Sequence, residues 1–211
     1  MEDISQDNLI NYLKGKGVLN SERIESAIRK VKREDFVNVN SRTEAYIDHP
    51  LSIGFGQTIS QPSTVVFMLE QLKIEIGDNV LDVGCGSGWQ LALLADLVGD
   101  GGRVTGIEII KDLAIKARNN IAKYNFNNIQ IVNGDGNNGF SINAPFDKIV
   151  CACATKGEIP KALLEQLRLG GMLMIPVGDG IQDLLLIKKI GHDRFEKKRF
   201  PGFMFVPFVK K

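Results

Sequence analysis

The chain has 211 residues, with 26 Lys and Arg against 25 Asp and Glu, a formal net charge of +1 and 44% hydrophobic residues. That length buries one sizeable core and leaves no room for two large domains, and the near-zero charge removes any electrostatic reason to expect nucleic acid or an anionic membrane as partner. Cys85, Cys151 and Cys153 cannot all pair within one chain and lack the spacing of a secreted disulfide framework, which suits a reducing cytoplasm.

Glu2 and Asp3 stand where a signal peptide needs basic residues, and no later stretch has the apolar length of a membrane helix. Up to about residue 37 the pattern is helical: Leu9, Ile10 and Leu13 form one apolar stripe, and Ile24, Ala27, Ile28 and Val31 another. Ser21 before Glu22 is a helix start. Residues 38–61 break into Gly, Ser, Thr and Pro, including Asp48-His49-Pro50 and Gly54-Phe55-Gly56, and a loop of that length in a compact domain is expected to be functional.

Pro62 opens a helix with Val65, Val66, Met68, Leu69 and Leu72 as its apolar positions. Strand and helix then alternate: strands at 79–83, 103–108, 129–132, 148–154 and 172–177, helices at 89–98, 111–124 and 160–167. Such alternation implies parallel pairing with right-handed crossovers, hence an α/β fold with a doubly wound, mostly parallel sheet. Segments 183–190, 194–200 and 203–209 read as further strands, which would add antiparallel pairing at one side of the sheet.

Directly after the first strand of this series stands Asp82-Val83-Gly84-Cys85-Gly86-Ser87-Gly88. Three alternating glycines between strand and helix let the backbone approach a nucleotide-like ligand closely. Nicotinamide-binding units use G-x-G-x-x-G, whereas the spacing here is G-x-G-x-G. Asp82 at the strand end suits a cationic amino-acid moiety and would repel a pyrophosphate. Glu108 ends the next strand, where an acid meets ribose hydroxyls, and Gly134-Asp135-Gly136 follows the third, placing an acceptor where an adenine edge is read. Any one of these acids is equally well a turn or capping residue. Together they indicate S-adenosylmethionine as cofactor, held by Asp82, Gly84, Gly86, Gly88, Glu108, Asp135 and Gly136, with S-adenosylhomocysteine as product and no metal.

The stretch from Tyr46 to Pro62, with Asp48-His49-Pro50-Leu51 and Gly54-Phe55-Gly56-Gln57-Thr58-Ile59-Ser60-Gln61, resembles the substrate-loop signature of the protein-L-isoaspartate O-methyltransferase family. The resemblance continues through Lys32-Arg33-Glu34-Asp35-Phe36-Val37, Gly134-Asp135-Gly136 with Gly139, Ala144-Pro145-Phe146-Asp147, Gln166-Leu167, Gly170-Gly171, Pro176-Val177-Gly178 with Gln182, and Phe205-Val206-Pro207. The sequence departs from the family at Cys153-Ala154-Thr155-Lys156-Gly157, where Ala and Pro are usual, and at Ser63, where an aromatic residue or His is frequent.

The resemblance implies a single Rossmann-like methyltransferase domain over 1–211: N-terminal helices and substrate loop at 1–62, cofactor-binding core at 63–178 and C-terminal strands at 179–211. It implies methyl transfer to the free α-carboxylate of L-isoaspartyl residues in damaged proteins and peptides, by a cytoplasmic monomer without nucleic acid or membrane partners. Ser60 is then the catalytic residue, orienting the carboxylate; Gln57, Thr58, Ile59 and Ser60 bind substrate; Gln182 joins the cofactor set. A carboxylate with a pKa near ~4 is already ionised at neutral pH, so no general base is required. The plainer account of Ser60 is a cap for the helix opened by Pro62; a nucleophilic serine would need a G-x-S-x-G elbow and a His/Asp pair that the sequence lacks.

Cys151 and Cys153 read as buried strand positions, since no second ligand pair accompanies them. His49 is either near substrate or satisfied by backbone, His192 is an exposed turn residue, and Lys188-Lys189 and Lys197-Lys198-Arg199 are solvated strand ends. Three other functions stand beside repair: aspartate methylation in a peptide natural product, a non-catalytic cofactor-binding module, and a nicotinamide oxidoreductase, which the glycine spacing disfavours.

Overall fold

The computed structural model of the chain describes residues 5–209; Glu2 and Asp3 lie outside that range. Two helices, α1 (Gln6–Gly15) and α2 (Glu22–Lys30), open the fold, each capped by a serine whose hydroxyl accepts an amide hydrogen bond, Ser5 from Asn8 and Ser21 from Ile24. Both apolar stripes expected from the sequence are buried, Leu9, Ile10 and Leu13 on α1 and Ile24, Ala27 and Ile28 on α2.

The segment 38–61 is more ordered than its composition suggests. A 3-10 turn (Val39–Glu44) leads into a hairpin of β1 (Leu51–Gly54) and β2 (Gln57–Ile59), paired Leu51 to Ile59 and Ser52 to Thr58. Its tight turn holds Gly54, Phe55 and Gly56 at positive φ. The two strands are four and three residues long, too short to show periodicity above the noise of a Gly-rich stretch.

Helix α3 (Pro62–Leu72) begins at Pro62. The core then follows as β3 (Asn79–Val83), α4 (Trp89–Val98), β4 (Arg103–Glu108), α5 (Lys111–Ile121), β5 (Ile129–Asn133), β6 (Phe146–Cys151), α6 (Lys161–Glu165), β7 (Leu167–Val177), β8 (Gln182–Lys189) and β9 (Phe195–Phe203). The seven-stranded sheet has the order β5-β4-β3-β6-β7-β8-β9. Pairing is parallel from β5 to β7 and antiparallel from β7 to β9, as the alternation and the tail composition predicted.

Side chains alternate across this sheet because the strand period is two. Val80, Val150 and Met174 face a core built with α1 to α5, whereas Leu81, Val83, Ile149, Cys151, Leu173 and Ile175 face a smaller one with Leu163 of α6. Winding to both faces is therefore real but unequal.

Some boundaries differ from the sequence reading. Strand β6 starts at Phe146 and ends at Cys151, so Cys153 follows the strand, although both cysteines are buried. Helix α6 is only five residues long, because Leu167 already pairs with Phe146 in the sheet. The expected last strand, 203–209, is not one. Strand β9 ends at Phe203, and the tail then crosses the sheet's carboxyl edge through a single bridge between Pro207 and Ala154. Pro201 still pairs with Asp183, and Gly202, at φ 92°, sits at the register shift just before the ladder's last pair, Phe203 with Gln182; beyond it Pro207 has no amide hydrogen to donate to a further ladder. Strand β9 is the sheet's edge, and exposed Lys197, Lys198 and Arg199 blunt it against pairing with other chains.

Candidate active site

The chain runs from β3 outward to β5 and then returns to β6 on the other side of β3, which opens a crevice at the carboxyl ends of β3 and β6, where open α/β sheets take their ligands. The glycine loop leaves β3 at this point. Gly84, Gly86 and Gly88 have φ of 77°, 54° and 96°, a left-handed region that other residues enter only at a cost. A Cβ on Gly88 would stand 3.1 Å from Ile121 Cδ1 and 3.3 Å from Ala117 Cβ, so the third glycine also lets α4 and α5 approach.

Asp82 is fully buried, and its Oδ1 accepts a 2.8 Å hydrogen bond from Gln90 Nε2 while Oδ2 has no partner among the described residues. Burial, with the nearby Glu108 charge adding to it, raises its pKa to about 7. An orphaned acceptor in a dry site calls for a cation or donor. Glu108 accepts from Gly86 N through Oε2 and from Ile110 N through Oε1, both at 2.9 Å, so it braces the glycine loop against the end of β4. Asp135 Oδ1 accepts from Asn137 N at 2.9 Å and from Asn137 Nδ2 at 2.7 Å, capping a 3-10 turn at Gly136–Asn138. The three acids and three glycines thus share one edge of the sheet.

Gln182 stands apart from them. Its Oε1 accepts from Phe205 N at 2.7 Å and its Nε2 donates to Phe205 O at 3.1 Å, so both ends of the amide clamp the tail. Gly136 serves the same tail, since a Cβ there would lie 2.4 Å from Val83 and 3.4 Å from the Phe208 ring.

A cavity of about 30 Å³ lies against the glycine loop, lined by Thr58, Ile59 and Ser60 on one side and by Gly84, Gly86, Trp89 and Gln90 on the other. Next to it is a cleft of about 580 Å³ between Ser60, Gln61 and Ser63 and the tail residues Phe203, Met204, Phe205 and Val206. Thr58, Ser60 and Ala152 line both, which places Ser60 on the wall shared by an inner, loop-side space and an outer, solvent-side one. Ile59 lines the inner space alone, and Gln57 stays at the hairpin turn, its Nε2 donating to Phe55 O at 3.4 Å.

Ser60 is not the cap of α3. Residue Gln61 occupies the cap position without a side-chain bond, and Asp48 Oδ1 instead accepts from Ser63 N at 2.8 Å while Oδ2 accepts from Gln61 Nε2 at 3.1 Å. The Ser60 hydroxyl makes no hydrogen bond to the described residues, and its carbonyl accepts from Arg33 Nη2 at 3.0 Å.

Sequence reasoning missed the residues that hold this loop in place: Asp48, buried Arg33, and Lys116, whose Nζ donates to Asn38 Oδ1 at 2.6 Å and Ile53 O at 3.2 Å. Their partners are 12 to 78 residues distant along the chain, so no local pattern marks them. Two side readings also resolve. His192 is an exposed turn residue whose Nδ1 lies 2.8 Å from Asp193. Lys189 is no solvated strand end; its Nζ donates to the carbonyls of Leu164, Glu165 and Leu167 at 3.2, 3.1 and 2.8 Å, closing the carboxyl end of α6.

This fold and this edge define a Rossmann-like methyltransferase of the S-adenosylmethionine-dependent class. The model of the protein-L-isoaspartate(D-aspartate) O-methyltransferase family matches residues 4–211. Protein-L-isoaspartate O-methyltransferase 2 of Archaeoglobus fulgidus is 43% identical over 187 residues, 89% of this chain and 85% of its own length, and the enzyme of that family from Methanothrix thermoacetophila is 44% identical over 97% of this chain and 93% of its own. A crystal structure of a Plasmodium falciparum protein-L-isoaspartate O-methyltransferase in complex with S-adenosyl-L-homocysteine superposes with a TM-score of 0.88 at 25% identity over the full length of both chains. The chain belongs to the protein-L-isoaspartate(D-aspartate) O-methyltransferase family. No helix among the described residues is long and apolar enough to cross a membrane.

Proposed function

We propose that this protein transfers the methyl group of S-adenosylmethionine to the α-carboxylate of L-isoaspartyl residues in damaged proteins and peptides, and that Ser60 orients that carboxylate. The observation that carries the reading is the position of Ser60 on the wall common to the glycine-loop cavity and the outer cleft, with its hydroxyl unspent and the capping role taken by Asp48.

The glycine loop, Asp82, Glu108 and Asp135 would hold the cofactor, with Asp82 Oδ2 as acceptor for its ammonium group. When bound, the cofactor supplies an electrophilic methyl carbon on a sulfonium. The chain's own residues then have two tasks. One is orientation: the Ser60 hydroxyl donates to one carboxylate oxygen and leaves the other aimed into the crevice, and alignment of reacting atoms is a large part of such a rate enhancement. The other is exclusion of water, because an anion meeting a cation loses charge along the reaction and water stabilises the separated charges more than their union. Hairpin β1–β2 and the tail 203–206 close the crevice from opposite sides.

The outer cleft suits an extended polypeptide, with Phe203 and Phe205 along one wall. Phe67 of α3 packs edge-on to Phe200 at 5.0 Å and against Phe203 at 5.5 Å, which makes that wall rigid. The protein acts as a cytoplasmic monomer on polypeptide substrates, without nucleic acid or membrane.

Ser60→Ala is expected to lower kcat for an isoaspartyl peptide by about a hundredfold, as loss of one aligned donor does, while S-adenosylhomocysteine affinity stays within twofold. The assay uses labelled cofactor, matched isoaspartyl and aspartyl peptides, and base-labile methyl ester as readout. Undiminished turnover would remove Ser60 from the mechanism, and labelling of the aspartyl peptide alone would overturn the repair function.

A further inference from the structure

We infer that Arg33 is a positioning residue for methyl transfer, a buried guanidinium that sets the place of Ser60 relative to the glycine loop. The inference deepens the reading given above for Ser60 and rests on it.

Arg33 lies in a 3-10 turn (Arg33–Asp35) and is 1% exposed. Its Nη1 donates to Ala45 O at 2.7 Å, and its Nη2 donates to His49 O at 3.1 Å and to Ser60 O at 3.0 Å. One planar cation thus gathers the start, the middle and the end of the segment that carries the hairpin. Its other side meets the cofactor loop: the guanidinium carbon lies 5.3 Å from the centre of the Trp89 ring, and Trp89, the first residue of α4, donates through Nε1 to Val31 O at 3.3 Å. Ser60 and Trp89 line the same inner cavity. Arg33 therefore stands behind that cavity and touches both of its walls.

The manner of burial argues against simple scaffolding. No carboxylate among the described residues comes within ion-pair range of Arg33, Nε finds no acceptor, and burial lowers its pKa to about 10, which still leaves it charged at neutral pH. Asp48, the acid whose charge acts on it, is engaged instead with Ser63 N and Gln61 Nε2. A buried, unpaired charge is a poor means of stabilising a fold, and an apolar side chain would fill the space at lower cost. What a guanidinium supplies that Met, Leu or Lys does not is a rigid planar fork able to hold separated carbonyls in fixed directions while stacking on an indole. Here the carbonyls include that of Ser60, so small errors in the fork become errors in the hydroxyl that meets the substrate.

The test is Arg33→Lys, alone and combined with Ser60→Ala, in the full-length protein. Arg33→Lys keeps the charge and removes the fork. Its kcat for an isoaspartyl peptide is expected to fall ten- to hundredfold, with S-adenosylhomocysteine affinity within about threefold of the parent. The double variant should be no slower than Ser60→Ala alone, because a residue that acts through Ser60 has nothing left to position. Trp89 is the only tryptophan, so a shift of its emission reports the altered stacking. Multiplying losses in the double variant, or an Arg33→Lys enzyme with parental kcat, would overturn the inference while leaving the role of Ser60 intact. A normal rate for Ser60→Ala would instead overturn the reading on which it rests. If Arg33→Lys does not fold, Trp89→Phe carries the same test: it keeps the fork and removes the indole beneath it, and should lower kcat several-fold, again with no further loss on the Ser60→Ala background.

Discussion

The glycine loop and the Ser60 loop face each other across one small cavity, yet they are built in opposite ways. The glycine loop is a local structure: seven consecutive residues from Asp82 to Gly88, with φ values that only glycine takes readily and a brace from Glu108 at the end of the neighbouring strand. The Ser60 loop is a collected structure, drawn together by Arg33, Asp48 and Lys116, whose contacts reach from 12 to 78 residues along the chain. A local device fails when its own backbone is strained. A collected one fails when a remote tie is cut, and it fails in geometry before it fails in folding.

The largest effect separating the two is expected on cofactor affinity from Gly88→Val. Positive φ and a Cβ pressed on Ile121 and Ala117 together cost about 3 kcal/mol, so S-adenosylhomocysteine binding measured by calorimetry should weaken about a hundredfold. Affinity within twofold of the parent would mean that the loop tolerates a side chain and that its glycines are not what holds the ligand.

A tenfold effect is expected from pH. With Asp82 at about 7 in the folded protein, the carboxylate proposed to receive the cofactor's ammonium group is mostly protonated at pH 6, so under that proposal affinity should be about tenfold weaker at pH 6 than at pH 8. Asp82→Asn should remove the dependence. The sign for stability is the reverse. A carboxyl raised above its unfolded pKa of ~3.9 binds more protons in the native state between that value and 7, so its contribution to apoprotein stability falls as pH rises through this window. A melting temperature of the ligand-free protein whose dependence on pH between 5 and 8 is unchanged by Asp82→Asn would contradict this.

A several-fold effect is expected from Asp48→Ala, which leaves Ser63 N and Gln61 Nε2 without their acceptor. Loss of such a cap costs about 1 kcal/mol, and kcat should drop several-fold while cofactor affinity holds. Equal damage to both would show that the two loops are not independent. The smallest effect on activity belongs to Lys189→Met, remote from the crevice. It removes three donors to the end of α6, for about 1–2 kcal/mol of stability seen in denaturant unfolding, with kcat and cofactor affinity unchanged.

Much of the fold was legible because its signals are local. Strands β3 and β4 and helix α4 begin and end where the periodicity and the glycines place them, and Pro62 and Ser21 mark their helices directly. The hairpin was hidden by strands too short to show a period, and 203–209 was misread as a strand because Phe and Val promise pairing that only a neighbouring strand can provide. Gln182 shows the limit most plainly. It lies near Pro176-Val177-Gly178 in a motif that resembles the family's, yet its amide is occupied by Phe205, 23 residues further on, and no spacing rule predicts that pairing.

By itself the sequence determined the doubly wound α/β core, the glycine turn and the acids at the strand ends, since each depends on residues within one turn or one strand of one another. Only the tertiary structure decided that Ser60 is not a helix cap, that Asp48 is, and that an unpaired arginine stands behind the wall that carries Ser60. Those outcomes turn on which of several chemically able partners reaches a given amide or carbonyl first, and that is settled by packing over the whole chain.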